Sequence, residues 1–128
     1  MVLASIVQAE ARTARDMALV AGVYLNRLRR GMPLDADPTV LYGLGLLGVQ
    51  ADPLTAGELA SPSPYNTYRH AGLPPGPICN PGPWALEAVA DPAPVHALYF
   101  LTTAEGRVVL ADTLAEQEAH VLRYLGAG

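Results

Sequence analysis

Between Ser61 and Pro83 the chain places seven of its twelve prolines, mixed with Gly72, Gly76 and Gly82 and with several Ser and Asn residues. Proline fixes φ and has no backbone N–H to donate, so neither a regular helix nor a central strand can run through this stretch. It separates a first half from a second half and joins them by a loop that is long for 128 residues. A loop of that length inside a small domain is uncommon unless it builds a site, and this one carries Tyr65, Asn66, Thr67 and Tyr68.

The first half reads as helical. Val2 to about Thr13 contains good helix formers without Gly or Pro, and from Arg15 to Arg30 the residues Met17, Val20, Ala21, Tyr24 and Leu28 recur at helical spacing. Arg27, Arg29 and Arg30 lie at the negative end of that second helix, Gly31 stops it and Pro33 follows. Asp37-Pro38-Thr39 reads as a side-chain cap followed by proline at the first helical position, which predicts a short helix from Pro38 to about Tyr42. Thr55 and Glu58 have capping-box spacing for one more turn.

Past the loop, Trp84 to about Ala90 reads as a helix. His96–Thr103 and Arg107–Asp112 read as strands on either side of Ala104-Glu105-Gly106. Thr113 and Glu116 then open a last helix that Gly126 ends. This order predicts an α+β fold, helices packed with a small antiparallel β-sheet, in a single domain spanning residues 1–128. A start inside a helical pattern is what a domain taken from a longer protein would show.

Composition removes several functions. At 51% hydrophobic and 16% charged residues the chain is a folded globule rather than a disordered one. A net charge of -4, with basic residues clustered only at Arg27, Arg29 and Arg30, offers no footing for nucleic acid. Cys79 is the one cysteine, and it is not adjacent to any of the three scattered histidines. That leaves no internal disulfide and no metal-ligand spacing, so no metal or cofactor is expected, and Cys79 reads as a small apolar residue rather than a nucleophile. No apolar run approaches membrane-spanning length and no signal or anchor is read, so this segment is not expected to contact a membrane itself.

At about 100° per residue, Leu3, Ile6, Val7 and Glu10 share one face of the first helix, and Ser5, Gln8 and Arg12 share the other. Glu10 therefore faces the core. A carboxyl held against Leu, Ile and Val loses hydration, which raises its pKa toward that of a general acid. Alternatively Glu10 ion-pairs with Arg12, Arg15 or Arg27, and periodicity alone leaves both readings open. An acid of this kind suits glycosidic cleavage, where proton donation to a leaving oxygen dominates. Asp35 and Asp37 are the only close pair of candidate second carboxylates, yet Asp37 has a use as a helix cap and Asp35 as a turn residue. A mechanism that needs one carboxylate fits better.

Five runs, LASIVQAEA (3–11), AGVYLNRLRRGMPL (21–34), DPTVLYG (37–43), SPYNTY (63–68) and GLPPGPICNPG (72–82), resemble the MltG/YceG-like endolytic murein transglycosylases over nearly the whole chain. The resemblance implies a lyase with a lytic-transglycosylase-like groove. Such an enzyme cuts between N-acetylmuramic acid (MurNAc) and N-acetylglucosamine (GlcNAc) in peptidoglycan and leaves a 1,6-anhydromuramyl end. It places the catalytic acid and base at Glu10. The family's helix motif carries a second acid two residues earlier, where this chain has Gln8.

The resemblance also implies that Asn66 bonds a substrate acetamido or hydroxyl group, that Tyr65 or Tyr68 stacks on sugar, and that Thr67 joins them. Asp37, Thr39 and Tyr42 would line the opposite wall, although capping and core packing would equally account for these three. Asn26 and Arg27 match the family's NRL run, but Arg27 also has a role at the helix end. Val108, Val109, Leu110 and Gln117 depart from the family's His and Phe in the last strand and His in the following helix. Residues 1–128 are expected to hold the catalytic domain without the family's membrane anchor and LysM-like subdomain. The implied partners are peptidoglycan strands and wall-synthesis enzymes, at the outer face of the cytoplasmic membrane in a full-length protein. Two rivals stand beside this reading: a muramidase using Asp35 or Asp37 as second carboxylate, and a glycan-binding domain without turnover.

Overall fold

The computed structural model describes residues 1–126. The elements are α1 (Val2–Glu10), α2 (Ala14–Arg30), α3 (Asp37–Gly43), α4 (Ala56–Leu59), α5 (Pro83–Ala90), β1 (Tyr99–Thr102), β2 (Val108–Ala111) and α6 (Leu114–Tyr124). The α+β architecture is the one the order of elements predicts. Thr13 caps α2 by accepting from the Asp16 N–H, and Gly31, at φ +70, ends it in the left-handed conformation that glycine adopts without a Cβ penalty. Thr55 and Glu58 form the expected reciprocal box on α4. The Thr113 hydroxyl caps α6 through the Glu116 N–H.

The apolar faces of α1, α2 and α5 meet in one core that contains Ile6, Val7, Val20, Ala21, Tyr24, Ala85 and Ala88. Burying an aliphatic side chain contributes roughly 1.5–3 kcal/mol. Ile6, Val7 and Val20 are fully buried, so this contact sets where α1, and with it Glu10, comes to rest.

Helix α2 also places the hairpin. Gly22 lets the Ala93 carbonyl approach so closely that a Cβ there would stand 2.6 Å from it. One turn on, Asn26 Nδ2 donates to the Val95 and Ala97 carbonyls at 2.8 and 3.0 Å. Arg27 Nε donates to the Leu98 carbonyl at 2.6 Å. These side chains satisfy the carbonyls of residues 95, 97 and 98, so the strand expected from His96 begins only at Tyr99. β1 pairs antiparallel with β2, Tyr99 opposite Ala111 and Thr102 opposite Val108. Gly106, at φ +85, closes the turn with its N–H on the Thr103 carbonyl.

The proline-rich stretch is an ordered loop folded back onto α1, which corrects two expectations. Ser5 is fully buried rather than facing outward, because its hydroxyl accepts from the Ile78 N–H at 3.0 Å. Gln8, on the same side, is half-buried and accepts from the Gly82 N–H at 2.8 Å. The polar face of α1 is thus the loop's docking face. A third correction concerns α3. Ala36 precedes it and no side chain caps it, while Asp37 is its first residue and turns its carboxylate elsewhere.

Candidate active site

Glu10 is the last residue of α1 and opens onto a cleft of about 580 Å³. Helix α2 contributes Tyr24 and Arg27 to its lining, the turn into α3 contributes Leu34, Asp35 and Asp37, and the loop contributes Tyr68. The far wall is the hairpin, Tyr99 to Thr102, with one face of α6. That face presents Leu114, Gln117, Val121 and then Leu125, at the three- and four-residue spacing of neighbours along a helix.

Among the described residues the Glu10 carboxyl has no hydrogen-bond or ion-pair partner. The three arginines that could have paired with it are engaged elsewhere. Arg15 meets Asp16 at 3.0 Å, Arg27 stands 3.5 Å from Asp35, and the Arg12 guanidinium lies against Gly106. Burial pushes Glu10 up from 4.5 to about 8, and the negative charge of Asp37 pushes in the same direction. Although its side chain is partly open to the cleft, protein surrounds it closely enough that water cannot solvate a full charge. At neutral pH Glu10 is a carboxylic acid.

Tyr68 donates its phenol proton to Asp37 Oδ1 at 2.5 Å. Burial and this bond hold the phenol well above its ordinary pKa, so it remains a donor. Tyr24 is also held protonated, first by burial and then by the charge of Glu10. Asp35 takes a left-handed backbone, φ +51, a conformation that costs most residues but that Asp tolerates. Burial raises its carboxyl, and the Arg27 guanidinium opposes that rise.

Of the residues singled out in the sequence as acids or sugar contacts, the cleft brings together Glu10, Asp35, Asp37 and Tyr68. Asn66 is fully buried beneath it. Its Nδ2 donates to the Leu59 and Ser61 carbonyls at 2.9 and 2.8 Å, and its Oδ1 accepts from the Tyr68 N–H at 3.0 Å. Thr67 and Thr39 are buried with their hydroxyls 2.9 Å apart, and Thr67 also accepts from the Ala36 N–H. The two threonines tie the loop to α3 and the turn before it, while Asn66 ties the loop to itself and to the end of α4. Tyr65 and Tyr42 pack against each other with tilted rings, centroids 4.8 Å apart, outside the cleft lining.

Sequence reasoning gave Tyr24 to the core and Arg27 to a helix end, and it gave no role in the cleft to Tyr99, Phe100 or the α6 face. A usable signal was present in α6, where Leu114, Val121 and Leu125 repeat on one face although each is 40–55% exposed. Among the described residues no group of three or more His, Cys, Asp or Glu could hold a metal ion.

A sequence profile of the YceG-like family matches residues 1–123. The chain belongs to the YceG-like family. A crystal structure of a YceG-like protein from Listeria monocytogenes superposes with a TM-score of 0.85 at 41% identity, over 93% of this chain and 38% of that one. An endolytic murein transglycosylase of Bacillus subtilis (strain 168) is 40% identical over 125 residues, which take in 98% of this chain and 34% of that protein. One from Streptococcus pneumoniae D39 is 34% identical over 128 residues, 98% of this chain and 23% of that protein. This YceG-like chain thus spans about a third or less of the length of the curated relatives it matches.

Proposed function

We propose that this chain is the catalytic region of an endolytic peptidoglycan transglycosylase that cleaves the β-1,4 bond from MurNAc to GlcNAc and forms a 1,6-anhydromuramyl end. The observation that carries the reading is Glu10, a carboxyl without a partner among the described residues, held protonated to about pH 8 on the wall of an open cleft. The activity named for its relatives supports it. Glu10 gives its proton to the departing GlcNAc oxygen. The resulting carboxylate then takes the proton of the muramyl C6 hydroxyl as that oxygen bonds to C1. The acid is regenerated and no water is consumed. The substrate's own acetamido oxygen steadies the positive charge at C1, so no protein nucleophile is needed.

Asp37 and Tyr68 border the reacting region in this reading: Tyr68, its proton committed to Asp37, offers the sugar its ring and an acceptor oxygen, and the Asp37 charge adds to burial in keeping Glu10 protonated. In a full-length protein the reaction takes place at the outer face of the cytoplasmic membrane, alongside wall-synthesis enzymes. Among the described residues no helix is long and apolar enough to cross a membrane.

A second reading has one observation in its favour, that Asp35 and Asp37 line the same cleft as Glu10. Either could serve as a base for water, which would make the enzyme a muramidase. Mass spectrometry of digested, purified peptidoglycan separates the two. Anhydro ends, lost in Glu10→Gln, are expected; free reducing ends would establish hydrolysis, and no cleavage by a folded, full-length protein would leave a binding domain.

A further inference from the structure

Arg27 ends up turned inward, its side chain only 9% exposed. Nε donates to the Leu98 carbonyl at 2.6 Å, and Nη1 donates to the Pro33 carbonyl at 2.7 Å and stands 3.5 Å from Asp35 Oδ2. The Tyr99 ring lies 4.9 Å from the guanidinium carbon. These contacts fix the plane of the group. They leave Nη2 and its two N–H donors without a protein partner among the described residues, in a side chain that lines the cleft. Arg27 is also the one cationic side chain among the described residues that line it, in a wall made acidic by Glu10, Asp35 and Asp37. A rigid cation with spare donors in such a wall is set to bind an acceptor oxygen of the ligand.

We propose that Arg27 is a specificity-determining residue that reads the 3-O-lactyl carbonyl of the muramyl sugar, an inference that rests on the glycan reading above. MurNAc and GlcNAc share their ring, acetamido group and C6 hydroxyl. Only MurNAc carries the lactyl ether, whose carbonyl is an acceptor that GlcNAc lacks. On a bare strand it is a carboxylate, and where a stem peptide is attached it is an amide carbonyl; a guanidinium N–H donates to either. Acetamido groups recur on every sugar and cannot set the register of a strand. A contact to the lactyl group can, because it decides which sugar presents C1 to Glu10.

The test is calorimetric titration of the Glu10→Gln protein, which binds without turnover. Three tetrasaccharides of equal length are compared: all-GlcNAc, bare GlcNAc-MurNAc, and GlcNAc-MurNAc bearing stem peptides. Both lactyl-bearing ligands are expected to bind roughly tenfold or more tightly than the all-GlcNAc one, and the bare carboxylate form is expected to weaken more with salt. In Glu10→Gln with Arg27→Lys the gap should shrink to less than about threefold, with a cooperative thermal melt showing that the variant is folded. Because Arg27 also holds the Leu98 and Pro33 carbonyls, one arm leaves the protein unaltered at this position. Replacing the lactyl ether by a plain ethyl ether, which has neither carbonyl nor hydroxyl, should forfeit the same roughly tenfold. Equal affinity for all-GlcNAc and lactyl-bearing ligands overturns the proposal while the glycan reading stands. If none of the three binds, the glycan reading falls and takes this proposal with it.

Discussion

The Tyr68 phenol donates to Asp37 Oδ1 across 2.5 Å and so fastens the proline-rich loop to the start of α3 inside the cleft that holds Glu10. Tyr68→Phe removes that fastening and leaves the Asp37 carboxylate unpaired beside the acid. We expect glycan cleavage to fall about tenfold while stability drops by about 1 kcal/mol. Turnover assays beside urea unfolding check this, and a variant with unchanged turnover would show that the tie is dispensable.

The pH profile should reflect Glu10. As the donor it must start protonated, so activity is expected to hold through neutrality and to decline as pH rises through about 8. Asp37 contributes to that elevation, so Asp37→Asn should move the alkaline limb toward lower pH. A limb that stays in place in Asp37→Asn would mean that burial alone sets the value.

Stability should show the same group from the other side. Between 4.5 and about 8 the folded chain keeps a proton on Glu10 that the unfolded chain releases, so this residue makes stability fall as pH rises across that window. Glu10→Gln removes the titration. The variant is expected to be inactive yet more stable than the parent at pH 8.5, by on the order of a few kcal/mol, and to lose that advantage near pH 4. Thermal melts at the two pH values decide it.

Asn66 supplies a prediction of the opposite kind. Its amide makes two bonds inside the loop and one to the end of α4, so Asn66→Ala leaves two carbonyls and the Tyr68 N–H without partners. A loss of about 2–4 kcal/mol is expected, and denaturant unfolding measures it. Activity should fall as well, because Tyr68 is positioned from this point. A variant as stable as the parent would show that the loop finds other partners.

Much of this arrangement can be read from local chemistry. Helical spacing, the Thr55 and Thr113 caps and the Gly31 stop depend on neighbours within a few residues, and they place most elements and turn Glu10 inward. What local chemistry does not contain is contact between distant segments. Ser5 looks like an outward polar residue until the loop, 73 positions away in sequence, donates to it. Arg27 looks like a surface charge until residue 98 reaches it. Asn66 and Tyr65 carry residue types suited to sugar, but whether an amide meets a ligand or a carbonyl of its own loop is decided by how seven prolines bend the chain. No periodicity encodes that path.

Helix α1 has only nine residues, and its two jobs are mechanically inseparable. Its end carries the acid, and Ser5 and Gln8 along its side hold the descending limb of the loop through Ile78 and Gly82. Any rotation or slip of this short rod would therefore carry the proton donor and the loop anchorage as a single lever arm. Distance errors between them cannot build up through intervening hinges. Substitutions at Ser5 or Gln8, which touch no substrate in the proposed reaction, should accordingly propagate to the alignment of Glu10 as directly as changes beside it.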